Sequence, residues 1–133
     1  MELEDLIGKT VHQVLADPDR YVWRFVTDQG NMDYYCFADC CSESWVNHVE
    51  SIDALIGHKV LGVEEFDMFG MLGVEPEPTK QEVDQVMFHR ITTDKGVCVI
   101  EFRNSSNGYY GGSFCKGWDG AWDDSVAPVT EDF

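Results

Sequence analysis

Leu6-Ile7-Gly8-Lys9-Thr10-Val11 recurs as Leu55-Ile56-Gly57-His58-Lys59-Val60, and this echo decides how the chain is read. Each copy has a further valine three residues on, at Val14 and Val63. Downstream, Arg24-Phe25-Val26-Thr27-Asp28-Gln29-Gly30 is echoed by Arg90-Ile91-Thr92-Thr93-Asp94-Lys95-Gly96. Two matches in one order predict two related halves, about 5–50 and 54–115, within a single domain spanning 1–133.

Each half reads the same way. A Leu-Ile pair ahead of glycine suits the last turn of a short helix, with glycine as its C-cap. The β-branched runs over 9–15 and 59–63 read as strands. Tyr21, Trp23 and Phe25 then alternate with Val22, Arg24 and Val26, the period of a half-buried strand. Thr-Asp-x-Gly is a turn signal: an Asp side chain can bond backbone two residues on, and glycine tolerates positive φ. Partner strands follow over 33–37 and 97–102, giving each half an antiparallel hairpin. A fourth strand is predicted over 44–49 and, after the favoured turn pair Asn107-Gly108, over 109–115. Residues 50–56 read as a helix capped by Ser51. The fold class predicted is α+β, an antiparallel meander sheet in two related halves with two short helices. Eight such strands can curl or close, because closure removes exposed edges.

The halves differ by an insertion loop, about 66–84, that carries Pro76, Pro78 and the apolar, glycine-broken run Met68-Phe69-Gly70-Met71-Leu72-Gly73. An acidic tail over 117–133 carries Trp118 and Trp122.

Charge is the most unusual bulk property. Nine Lys and Arg stand against 25 Asp and Glu, a formal net charge of -16. Such a field repels nucleic acid and anionic membranes and attracts basic surfaces. A hydrophobic content of 44%, with 13% aromatic residues, is enough to build a core and excludes a disordered acidic chain. No run of about 18 apolar residues predicts a membrane span. The opening Met1-Glu2-Leu3-Glu4-Asp5 lacks the features of a signal peptide, which predicts a cytoplasmic protein. There is no phosphate-binding loop, dinucleotide fingerprint or paired-histidine helix, and no His stands in a nucleophile motif. The chain is therefore read as a non-enzyme.

Leu6-Ile7-Gly8, Asp39-Cys40-Cys41, Leu55-Ile56-Gly57, Thr93-Asp94-Lys95-Gly96 and Ser106-Asn107-Gly108-Tyr109-Tyr110, in this order, carry a resemblance. Over about residues 5–115 the chain resembles a family of short, uncharacterised bacteriophage and prophage proteins. It departs from that pattern at Cys36, where His is common, and after the tyrosine pair, where Gly111-Gly112 replaces a more polar run. The resemblance implies a phage-encoded accessory protein working in the host cytoplasm and brings no established activity.

Two loops hold the least ordinary residues. Cys36, Cys40 and Cys41 are close enough to supply thiolate ligands to zinc, with His48 as a fourth. The spacing is not that of a zinc knuckle, and adjacent Cys40 and Cys41 diverge if the chain is extended. Buried thiols at a strand end are the plain reading. Aligned from the turn glycines, Asp39-Cys40-Cys41 falls opposite Ser105-Ser106-Asn107. Asp39, Cys40, Cys41, Ser106, Asn107 and Tyr109 would then line one surface. Lys9, Arg24, Arg90 and Arg103 would have to converge for a small anionic nucleotide to bind.

Charge, the missing catalytic motif and the resemblance together predict a binding protein. Its partner would be a basic host protein or defence complex, inhibited by mimicry of nucleic-acid charge, with no cofactor and no direct nucleic-acid contact. The alternative is a module for zinc or a small ligand such as a nucleotide, centred on the Cys36 to Cys41 loop.

Overall fold

The computed structural model describes residues 2–38, 42–67, 83–106, 112–117 and 126–133. Nine strands form one antiparallel sheet: β1 (Thr10–Ala16), β2 (Val22–Thr27), β3 (Gly30–Ala38), β4 (Glu43–Glu50), β5 (His58–Asp67), β6 (Val83–Thr93), β7 (Val97–Ser106), β8 (Gly112–Lys116) and β9 (Ala127–Pro128). The order is β4-β7-β6-β5-β1-β2-β3-β8, with β9 paired to the free side of β1. Two three-strand meanders, β1-β2-β3 and β5-β6-β7, therefore lie side by side. Each is completed by a strand from elsewhere in the sequence, β8 on β3 and β4 on β7.

The two short helices are corrected. Glu2–Leu6 and Ile52–Ala54 are single 3-10 turns, and the described residues contain no α-helix. The reason is length: five and three residues cannot repay helix nucleation. Ser51 does not cap the second turn. It sits in the left-handed region at φ 61°, and the cap comes from Asp132, whose Oδ1 accepts the Ile52 amide at 2.8 Å. Gly8 and Gly57 do adopt the positive φ expected of them, 88° and 84°.

The centre of the sheet is joined by reciprocal bonds. The Gly8 amide donates to the Val60 carbonyl at 2.8 Å, and the Gly57 amide to the Val11 carbonyl at 2.6 Å. Asp28 N donates to Thr10 O, and Asp94 N to Lys59 O. The β1–β2 ladder shifts register between Val11 and Gln13, and β5–β6 between Val60 and Gly62. The hairpin turns also agree in mechanism, and Thr rather than Asp does the bonding. Thr27 Oγ1 accepts the Gln29 amide at 3.1 Å, and Thr93 Oγ1 accepts the Lys95 amide at 3.2 Å. Asp28 instead takes the Thr10 amide on its Oδ1 at 3.0 Å.

The period of two is visible on β2, where Trp23, Phe25 and Thr27 point inward and are buried. They join Leu6, Val14, Tyr34, Leu55, Ile91, Ile100 and Phe102 in one core. The sheet curls around this core until its end strands meet at one corner, where Gly112 of β8 lies against Ser44 of β4. Within the predicted acidic tail, the described residues 126–133 pack on the body of the sheet. Val129 N donates to Val14 O, Phe133 and Val49 exchange backbone bonds, and the Phe133 ring stacks on Trp23 at 6.1 Å. Among the described residues no helix is long and apolar enough to cross a membrane.

Candidate functional site

The corner where the curled sheet meets itself is also where both predicted loops begin and end. Ala38, the last residue of β3, pairs with Gly112, the first of β8. Glu43, the first residue of β4, pairs with Ser105 of β7. The stems of the two loops are thus neighbours. Ser44 Oγ donates to the Phe37 carbonyl at 2.7 Å, and Asn104 Nδ2 donates to Ser44 Oγ at 2.9 Å and to Ser42 Oγ at 3.3 Å. A Cβ on Gly112 would strike Ser44 Oγ, the Phe37 carbonyl and Asn104 Nδ2 together, so only glycine fits. Asp39, Cys40, Cys41, Asn107 and Tyr109 lie outside the described residues, and Ser106 is the last residue of β7.

Of the four metal candidates, Cys36 and His48 are among the described residues. Cys36 points into the core, with its Sγ 3.7 Å from the Arg20 carbonyl. His48 is exposed on β4, its Nδ1 3.1 Å from the Phe133 carbonyl. Among the described residues no three His, Cys, Asp or Glu side chains gather as a metal centre.

The four cations have different partners or neighbours. Arg24 is clamped by both Asp33 oxygens, at 2.7 and 3.0 Å, which raises its already high pKa. Arg103 is buried on β7 and donates its Nε to Glu101 at 3.0 Å, a carboxylate that also accepts Asn47 Nδ2 at 2.7 Å. Lys9 Nζ bonds the Asp5 carbonyl, and Arg90 is exposed opposite Glu64 on β5.

Beside the corner lies a cavity of about 220 Å³ between β5–β6 and β8. Its walls include Glu65, Gln85, Met87, Phe102, Ser113 and Phe114, and its floor is His89. This histidine is 4% exposed, and neither ring nitrogen has a hydrogen-bond partner. Burial away from water drives its pKa down to about 4, so the ring is neutral at pH 7. Asn104 Oδ1, on the neighbouring strand, is likewise unpartnered. These orphan atoms are unusual, since buried polar atoms nearly always find partners. Sequence reading placed His89 in a strand but gave it no role. The echo that aligns Arg24 with Arg90 also aligns Trp23 with His89, and a polar ring at a core position was the signal to follow.

The other histidines make different contacts: His58 Nδ1 lies 3.1 Å from Asp94 Oδ1. Cys98 is a core thiol that burial and nearby acids push up to about 12, which makes it unreactive. The cavity wall mixes apolar Met87, Phe102 and Phe114 with polar Glu65, Gln85 and Ser113.

A family model described as a domain of unknown function (DUF7448) matches residues 4–116. The chain belongs to the DUF7448 family. No curated protein and no solved structure matches it. The DUF7448 region runs from the first 3-10 turn to the end of β8 and contains both the corner and the His89 cavity. The docked segment 126–133 lies outside it.

Proposed function

We propose that this member of the DUF7448 family is a non-catalytic, phage-type accessory protein that binds a basic host protein. Its acidic surface stands in for nucleic-acid charge, in two related halves that share one sheet. The observation that carries this reading is the distribution of charge. The net charge is -16, and several of the few cations are engaged within the molecule: Arg24 by Asp33, Arg103 by Glu101, Lys116 by Asp5. Exposed acids such as Glu50, Asp53 and Glu131 surround the second 3-10 turn. A field of this sign and size steers basic partners and is screened by salt.

The test is affinity capture from host lysate at about 50 mM and about 500 mM NaCl, where the Debye length falls several-fold. A basic nucleic-acid-binding protein is expected in the low-salt eluate and absent at high salt. Its capture should weaken in the triple variant Glu50→Gln, Asp53→Asn, Glu131→Gln. Capture indifferent to salt, or no specific protein at low salt, overturns the reading.

A further inference from the structure

We propose that the groove between β5 and β8, floored by His89, binds an extended strand of a partner protein that carries an aromatic side chain and basic neighbours. The inference goes beyond the charge reading and concerns a different surface.

The molecule contains a filled version of the same groove. Past the central bonds, the free side of β1 and the strand β4 are bridged by the segment 126–133. Ala127 and Pro128 pair with Ala16 and Leu15 as a short added strand. Phe133 exchanges backbone bonds with Val49 and lays its ring on Trp23, with the Arg20 guanidinium 3.3 Å above the ring centre. An extended peptide with an aromatic side chain is thus already seated in one groove. It comes from outside the region that matches the family.

The second groove is the counterpart of the first. The reciprocal bonds of Gly8 with Val60 and of Gly57 with Val11 relate β1 to β5, and the matched register shifts carry the relation outward. Counting from those bonds, Glu65 stands where Ala16 stands. Counting from the Thr27 and Thr93 turns, His89 stands where Trp23 stands. The pairing of Gly112 with Ala38 and of Ser44 with Asn104 puts the start of β8 where the start of β4 stands. The cavity lined by Glu65, His89 and Gly112 to Cys115 is therefore the place that Phe133 and its segment occupy on the other side.

Three features define the occupant. Beyond His58 and Lys59, β5 pairs among the described residues on one side only, with β6, so its other edge offers backbone donors and acceptors to an added strand. The cavity volume, about 220 Å³, is below that of a drug-sized pocket and suits one large side chain. At its floor the His89 ring lies beside Phe114, with ring centroids 5.8 Å apart and its nitrogens buried beneath the cavity surface. An aromatic side chain can stack there, as Phe133 stacks on Trp23 in the counterpart groove. Glu65 at the rim selects for basic flanking residues.

The probe is the peptide acetyl-Lys-Thr-Tyr-Val-Lys-Val-amide, titrated into the full chain labelled for NMR. Saturable shifts are expected at the His89 imidazole and at the Glu65 and Gly112 amides. Replacing the peptide tyrosine by alanine should weaken binding about tenfold or more, from the lost stacking. In the protein, Glu65→Lys should weaken binding several-fold without unfolding an exposed position. Shifts confined to other surfaces, equal binding of the alanine peptide, or full affinity in Glu65→Lys each overturn the proposal.

Discussion

A neutral imidazole packed against Phe114 with both nitrogens unbonded costs the fold the hydrogen bonds that water would supply. It also makes stability depend on pH. The unfolded chain takes up a proton on this ring near 6.5, and the folded protein only near 4. Between those values the unfolded state holds more protons, so stability falls as pH falls through the window and is unaffected above it. By pH 5 the loss reaches about 2 kcal/mol. Urea unfolding at pH 7 and pH 5 measures it, and His89→Phe should flatten the slope. The same residue shows where the sequence stopped being legible. Trp23 and Phe25 announce a core strand by alternation, and His89 occupies a matching position. Only the solved neighbourhood reveals that its nitrogens are orphaned, because hydrogen-bond satisfaction is a property of three dimensions. Cys36 belongs to the core, as the plain reading of a buried thiol near a strand end has it.

Strand by strand, the hairpins were readable because turn chemistry and period two are local, as at Thr27 to Gly30. The helices were misread because Leu-Ile-Gly looks the same at the end of a 3-10 turn as at the end of an α-helix. The pairing of β4 with β7 and of β8 with β3 has no local signal. Its tightest point is Gly112, and Gly112→Ala should cost roughly 1–3 kcal/mol, since three polar atoms of β3, β4 and β7 would have to move. Gly62→Ala, on open β5 with ordinary φ, should stay within about 0.5 kcal/mol. Thermal melts of the two variants side by side decide the matter. The segment 126–133 was read only as acidic tail, yet Phe133 is packed on Trp23 and Arg20. Phe133→Ala should cost about 2 kcal/mol, less than a fully buried Phe because the ring is partly exposed, and should lower the urea midpoint at unchanged slope.

For the molecule as a whole, the acidic field is the property that composition alone supplied. The salt dependence of partner capture is its test, because no single carboxylate carries it. The order in which the strands assemble has a consequence for how the chain reaches its native state. Neither meander is completed by its own fourth strand: β8 returns to β3 across 74 residues from Ala38 to Gly112, and β4 waits for β7 across 62 from Glu43 to Ser105. Contacts this distant in sequence must pay loop-closure entropy before they contribute, which makes folding slow and leaves neither half a stable resting point. The protein is thus poised to unfold as one unit. A nascent chain gains no completed sheet until β8 has emerged from the ribosome.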